Sequence, residues 1–244
     1  MVERHGWLWV WMGGAANADE SAIPDLHYNQ STGWVSAGSY LPVKAGYFLL
    51  VENLLDLSHV AFTHLNSIGS AEDTDPDLTW EHEDHVVRGT RFARDLSPSK
   101  GMLQRGIDYR MDVKKVMSFI PPCHVVIDIT RTEAHPAPGK AARIAAHHMI
   151  INSMTPETET SCHYFWANAR DHDLDNTAMT EMALRQTGGA FEEDKFIIEA
   201  QQRIIDLDPA ASTINVAGDA GGVQARRMVD RLIALESAAT LRSR

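Results

Sequence analysis

A chain of 244 residues with 44% hydrophobic and 23% charged residues has ordinary globular composition, enough for one large domain or two small ones. Its net charge of -11 argues against nucleic acid and against an anionic membrane surface, since both need clustered Lys and Arg. The longest apolar stretches, such as Tyr47–Val51 and Val125–Ile129, are strand-length and far short of the ~20 residues of a membrane span, and Met1–Trp11 lacks a signal-peptide pattern, so the chain reads as cytoplasmic.

In chain order, Gly6-Trp7-Leu8-Trp9-Val10-Trp11 is aromatic and β-prone, Gly13-Gly14 ends it, and Ala15–Pro24 is a polar linker. Two readings fit this opening: the last strand of a domain whose earlier part lies elsewhere, or a short strand packed on the main domain. Tyr40–Val51 reads as a strand interrupted at Lys44-Ala45-Gly46, and Glu52–His64 has apolar residues at helical spacing. Strand-like segments follow around Thr79–Phe92, Ile107–Phe119 and Val125–Thr130, then a loop over Ala134–Lys140. Ala141–Ser153 and Ser161–Ala169 read as two more strands, separated by a hairpin-like break at Met154-Thr155-Pro156-Glu157. The last third is helical: Thr177–Gln186, a break at Gly188-Gly189, Phe191–Asp206 stopped by Pro209, and Ala220–Glu236. Strands in one run followed by helices in another predict an α+β fold.

The chain has 12 histidines, and histidine is the commonest metal ligand among side chains that titrate near neutrality. His59 and His64 fall in the pattern Asp56-x2-His59-x4-His64 within an apolar stretch. On a straight α-helix the two imidazoles would sit ~140° apart, so both reach one ion only if the helix bends or ends between them. Spacing alone favours two histidines near a helix end with separate partners, and Asp56 as a helix cap or a surface charge. Glu192-Glu193-Asp194-Lys195 taken alone reads as a solvated charged face.

The whole segment Glu52-Asn53-Leu54-Leu55-Asp56-Leu57-Ser58-His59-Val60-Ala61-Phe62-Thr63-His64 resembles the mononuclear-iron motif of Rieske non-haem iron oxygenases, in the monooxygenase branch that includes vanillate O-demethylase oxygenase components. Ala190-Phe191-Glu192-Glu193-Asp194-Lys195-Phe196-Ile197-Ile198-Glu199-Ala200-Gln201-Gln202 is similar to that family's late helix, which carries a carboxylate ligand. The opening Glu3–Gly13 is similar to the closing strand of the family's Rieske domain. The resemblance implies a helix-grip fold, a curved antiparallel sheet packed on a long C-terminal helix. It implies that residues 1–25 are a remnant of the Rieske domain and its linker, and that 26–244 form the iron catalytic domain. It makes His59, His64 and Asp194 the ligands of one Fe(II), with Asp56 between that iron and a neighbouring subunit's cluster, and Asn53 near the iron. Two histidines and a carboxylate form a facial triad that leaves positions open for O2 and substrate. Asn152, His163 and Trp166, on strands expected to line the cavity, are candidate substrate contacts.

The activity implied is hydroxylation or O-demethylation of an aromatic compound with O2, fed by NADH through a ferredoxin or flavin reductase and a 2Fe-2S Rieske cluster, in a homotrimer. The alternatives are a ring-hydroxylating dioxygenase subunit, an inactive helix-grip ligand-binding fragment, and a hydrolytic zinc site on the same ligands. The cluster itself needs Cys-x-His and Cys-x2-His. Here Cys123-His124 and Cys162-His163 are adjacent pairs, so they read as small core residues, and the chain by itself is expected not to turn over with reductase and NADH. His82-Glu83-Asp84-His85 has the wrong spacing for a zinc-protease helix, His147-His148 should face opposite sides of a strand, and Gly218–Gly222 lacks a nucleotide-loop context.

Overall fold

The structure, a computed structural model, describes residues 1–64, 68, 77–83, 85–98, 102–103, 105–210 and 214–242. Asp84, inside the His82–His85 segment, lies outside them. The described residues form strands β1 (Val2–Arg4), β2 (Trp7–Trp9) and β3 (Val35–Val43), helices α1 (Tyr47–Leu55) and α2 (Val60–Thr63), and strands β4 (Asp77–Glu83), β5 (Val86–Leu96), β6 (Met111–Ile120), β7 (His124–Glu133), β8 (Ile144–Thr158) and β9 (Ser161–Arg170). Two long helices, α3 (Thr177–Leu207) and α4 (Ala220–Arg242), complete the chain.

The seven strands β3–β9 make one antiparallel sheet in the order β3-β9-β8-β7-β6-β5-β4. Because side chains alternate across a strand, each strand serves two cores. On one face Met117, Phe119, Val125, Ile127, Ile150, Met154, Tyr164 and Trp166 pack with Leu50, Val51, Leu54 and Leu55 of α1, Phe191 and Ile198 of α3, and Ala225 and Met228 of α4. On the other face Val126, Met149, Ile151, Ala167 and Ala169 pack with Leu26, and Trp7, Trp9, Tyr28 and Trp34 lie over them. This is the α+β helix-grip arrangement expected from the sequence.

Local expectations needed correction where tertiary packing overrode propensity. The aromatic opening is a hairpin, not one strand: β1 pairs with β2 through a turn at His5 (φ 58) and Gly6 (φ 75), the left-handed pair that a two-residue hairpin loop requires. Tyr47–Val51 is helical although rich in β-prone residues, because Leu50 and Val51 bury their side chains against the sheet. The Thr79–Phe92 segment is two paired strands, β4 and β5. The break expected at Met154–Glu157 is absent; β8 runs on to Thr158, with Pro156 opposite Cys162 and a register shift just beyond it, and turns at 159–160. Gly188-Gly189 does not interrupt α3. A Cβ at Gly188 would lie 3.2 Å from the Trp166 ring, so the missing side chain is a packing device for an aromatic rather than a stop.

Candidate metal centre

Each long element delivers one part of the site. In α3 the buried residues Thr187, Ala190, Phe191, Asp194, Ile198 and Gln202 fall at the three- and four-residue intervals of a single helical stripe. Asp194 is thus the one buried member of the acidic run. Glu192 pairs outward with Lys195 at 3.9 Å. The helix geometry separates residues that sequence pattern alone could not.

The two histidines come from a broken helix. After α1 the chain goes extended at Asp56 (φ -96, ψ 95), whose carboxylate accepts from the Ser58 N–H at 2.9 Å and caps a short 3-10 turn, Leu57–His59. Then α2 begins, and His64 is its C-cap (φ -106, ψ 26). His59 and His64 therefore flank α2 instead of sharing a straight helix, which removes the ~140° divergence of an ideal one and brings the ring centroids to 5.2 Å.

His59 Nε2 lies 3.4 Å and His64 Nε2 3.1 Å from Asp194 Oδ1. One ligand atom from each of the three residues falls within 4.8 Å of the others. His64 and Asp194 are almost fully buried, and His59 is part-buried. The far nitrogen of each ring is already engaged: His59 Nδ1 bonds the main-chain carbonyl of Asp56, and His64 Nδ1 bonds Glu193 Oε2 at 2.7 Å. Both partners are acceptors, so each Nδ1 carries the proton and each Nε2 presents a lone pair. Asp194 Oδ1 is buried with no directed hydrogen bond. Two imidazole nitrogens and a carboxylate oxygen thus converge on one point. Such a cluster is costly unless a cation sits at its centre, and the residues fit a small divalent metal.

In the metal-free protein the same crowding shifts the titrations. Burial pushes His64 down, but the nearby carboxylates of Asp194 and Glu193 outweigh it and raise its pKa. Burial pushes Asp194 up, yet attraction to His59 and His64 wins and holds it below the ordinary carboxylate range.

The remaining candidates divide by strand face. Trp166 and Asn152 are on the helix side, Trp166 edge-on to Phe191 with centroids 5.3 Å apart. Asn152 is fully buried and committed to protein partners, donating to Val125 O at 2.9 Å and accepting from the Tyr164 hydroxyl at 2.7 Å. His163 corrects its expectation: alternation puts it opposite Tyr164, and it bonds the exposed Tyr40 hydroxyl at 2.8 Å, away from the metal centre. Asn53 is half-buried on α1. The Asp56 carboxylate caps the 3-10 turn, and its backbone carbonyl is the group that bonds the His59 ring.

Cys123 and Cys162 are buried, and burial pushes each thiol up to about 12. His147 bonds Asp171 at 2.7 Å on one face while His148 bonds Asn168 at 2.9 Å on the other, as the alternation requires. Sequence reasoning missed Glu193, the Asp56 carbonyl, the His148–His172 contact (Nε2 to Nε2, 3.3 Å) and a cavity of about 100 Å³ lined by Asp56, Leu57, Ser58, Leu78, Arg91, Met117 and Gly218. Glu193, the histidine pair and the cavity carry no local sequence signal because each joins different elements, and the Asp56 carbonyl carries none because any residue type could supply it.

Residues 43–235 match the vanillate O-demethylase oxygenase C-terminal domain. The chain belongs to the vanillate O-demethylase oxygenase family. It is 34% identical to a vanillate O-demethylase oxygenase subunit of Pseudomonas sp. (strain ATCC 19151), over 97% of this chain and 74% of the relative. It is also 34% identical to a putative toluene-4-sulfonate monooxygenase system iron-sulfur subunit of Comamonas testosteroni, over 98% and 71%. A crystal structure of dicamba monooxygenase bound to 3,6-dichlorosalicylic acid superposes with a TM-score of 0.86 at 26% identity, covering 97% of this chain and 70% of that one. Another, with non-haem iron and dicamba, gives a TM-score of 0.78 at 26% identity over 98% and 69%. This member of the family is accordingly an oxidoreductase, the catalytic domain of a Rieske-type oxygenase component. Among the described residues no helix is long and apolar enough to cross a membrane.

Proposed function

We propose that this protein binds one Fe(II) through His59, His64 and Asp194 and uses it to O-demethylate or hydroxylate an aromatic substrate. The observation that carries this is the convergence of two imidazole nitrogens and one buried carboxylate oxygen that has no hydrogen-bond partner. A ferrous ion held there supplies a centre at which O2 is reduced, with coordination positions left open by a three-residue facial set.

The chain's own residues do the rest. The Asp56 carbonyl and Glu193 hold the two rings by their Nδ1–H groups, so the Nε2 lone pairs stay aimed inward. Tyr164, Trp166, Phe191 and Ile198 form an apolar wall on the Asp194 side that excludes water from a reactive centre. For an aryl methyl ether the balance is Ar–O–CH3 + O2 + 2 electrons + 2 protons giving Ar–O–CH2OH + H2O. The hemiacetal then breaks its C–O bond to give phenol and formaldehyde.

The electrons come from NADH through a ferredoxin or flavin reductase and a 2Fe-2S Rieske cluster. Neither cysteine of this sequence has cluster spacing, so the cluster serving this iron lies outside these residues, in the ring arrangement of a homotrimer, with residues 1–25 the closing strand and linker of the cluster domain. Asp56, beside the 3-10 turn that carries His59, is the residue through which that cluster is coupled, and Asn53 stands near the iron. Trp166 contributes to the substrate wall, and Asn152 stands behind that wall, holding the Tyr164 hydroxyl. The site of action is the cytoplasm.

The test is to load the protein with Fe(II) anaerobically, add a panel of aryl methyl ethers with a chemical reductant, admit O2, and trap formaldehyde. Formaldehyde and phenol in equal amounts are expected. A cis-diol in their place would assign the chain to ring dioxygenation. Tight aromatic binding unchanged by chelation, with no product, would overturn the enzymatic assignment in favour of a ligand-binding protein.

A further inference from the structure

The two imidazoles of the metal centre are not held alike. His59 Nδ1 donates to a neutral main-chain carbonyl, whereas His64 Nδ1 donates to the carboxylate of Glu193 at 2.7 Å. Glu193 stands on the opposite edge of the His64 ring from Asp194 and belongs to no ligand set. It is the residue next to the ligand in sequence, on the same helix turn, so α3 presents one carboxylate to the metal position and a second to the ring that binds it. His64 is only 1% exposed, while the Glu193 side chain is 34% exposed, so the imidazole end of this charge-assisted contact is shielded and the carboxylate end keeps access to water.

We infer that Glu193 is a positioning residue for the metal centre, one that fixes the His64 tautomer and supplies the second negative charge that matches a divalent ion. The inference rests on the iron assignment above. Asp194 and Glu193 together carry the charge that neutralises Fe(II). A carboxylate hydrogen-bonded to the far nitrogen also makes imidazole a stronger donor to the metal. That extra negative charge favours the ferric over the ferrous ion, so removing it must raise the reduction potential as well as weaken binding. Orientation alone would be satisfied by any acceptor, including a neutral amide.

The experiment compares wild type with Glu193→Gln and Glu193→Ala. Glu193→Gln keeps an acceptor of the same length for His64 Nδ1–H but removes the charge. Fe(II) affinity is measured anaerobically against a competing chelator, and the potential of the bound iron by a redox titration followed by electron paramagnetic resonance. Thermal unfolding of the iron-free proteins checks that the fold is kept. The expected result is a loss of affinity on the order of 10- to 100-fold in both variants, with a higher iron potential in Glu193→Gln. Wild-type affinity and potential in Glu193→Gln would overturn the inference, and so would weakened binding with an unmoved potential. If instead wild type and His59→Ala bind iron equally, the iron assignment itself fails.

Discussion

Replacing His124 by Gln should flatten the acid sensitivity of the fold. His124 opens β7 beneath the N-terminal hairpin, with the Trp9 ring tilted against its own at 5.4 Å between centroids and its Nδ1 2.7 Å from Ser153 Oγ. Burial pushes its pKa down from 6.5 to about 4. A histidine with a depressed folded pKa takes up a proton more readily when unfolded, so below the unfolded value each step down in pH favours unfolding. At pH 7 both states are neutral and the term is small. At pH 5 the unfolded histidine is almost wholly protonated while the folded one is not, and the linkage amounts to about 2 kcal/mol. Urea unfolding of wild type and His124→Gln at both pH values isolates this, because all other titrating groups cancel in the difference. The gap in stability between the two proteins should move by about 2 kcal/mol in favour of the variant on going from pH 7 to pH 5. An unchanged gap would refute the claim that His124 is enclosed and neutral, and with it the packing of the Trp7–Trp9 strand over this face.

Two further outcomes follow from the packing. Gly221→Ala places a Cβ 2.1 Å from the Trp80 ring at the first turn of α4, so it should lower stability by about 1–3 kcal/mol, read by chemical unfolding; a variant as stable as wild type would mean that α4 does not approach β4 this closely. His163→Ala should leave iron content and turnover unchanged, because its ring faces Tyr40 on the other side of β9; loss of turnover with intact iron would return His163 to the substrate wall.

The broad architecture was legible because strands and helices fall in separate runs with different periods. Residue type within those runs misled where a neighbour decided the conformation. Tyr47–Val51 is β-prone and helical, since a buried face against the sheet outweighs a propensity difference of a few tenths of a kcal/mol per residue. Gly188-Gly189 resembles a stop, but the helix continues through it and Gly188 accommodates the Trp166 ring. The candidate metal residues were reachable through the resemblance of two segments, while their spacing alone pointed to separate partners. The bend that lets His59 and His64 converge is set by the Asp56 cap, a local feature visible in sequence only as an aspartate two residues before a serine. Glu193 was out of reach, because its partner His64 lies more than a hundred residues away. The outward direction of His163 follows from one register, Pro42 against His163, that the isolated strand does not reveal.

The most direct test of the iron assignment is metal and acid-labile sulfide content of the anaerobically purified protein, wild type beside His59→Ala. The structure predicts about one iron per chain without labile sulfide in wild type, and none in the variant. Iron held equally by both proteins, or by neither after addition of Fe(II), would contradict a mononuclear centre at His59, His64 and Asp194.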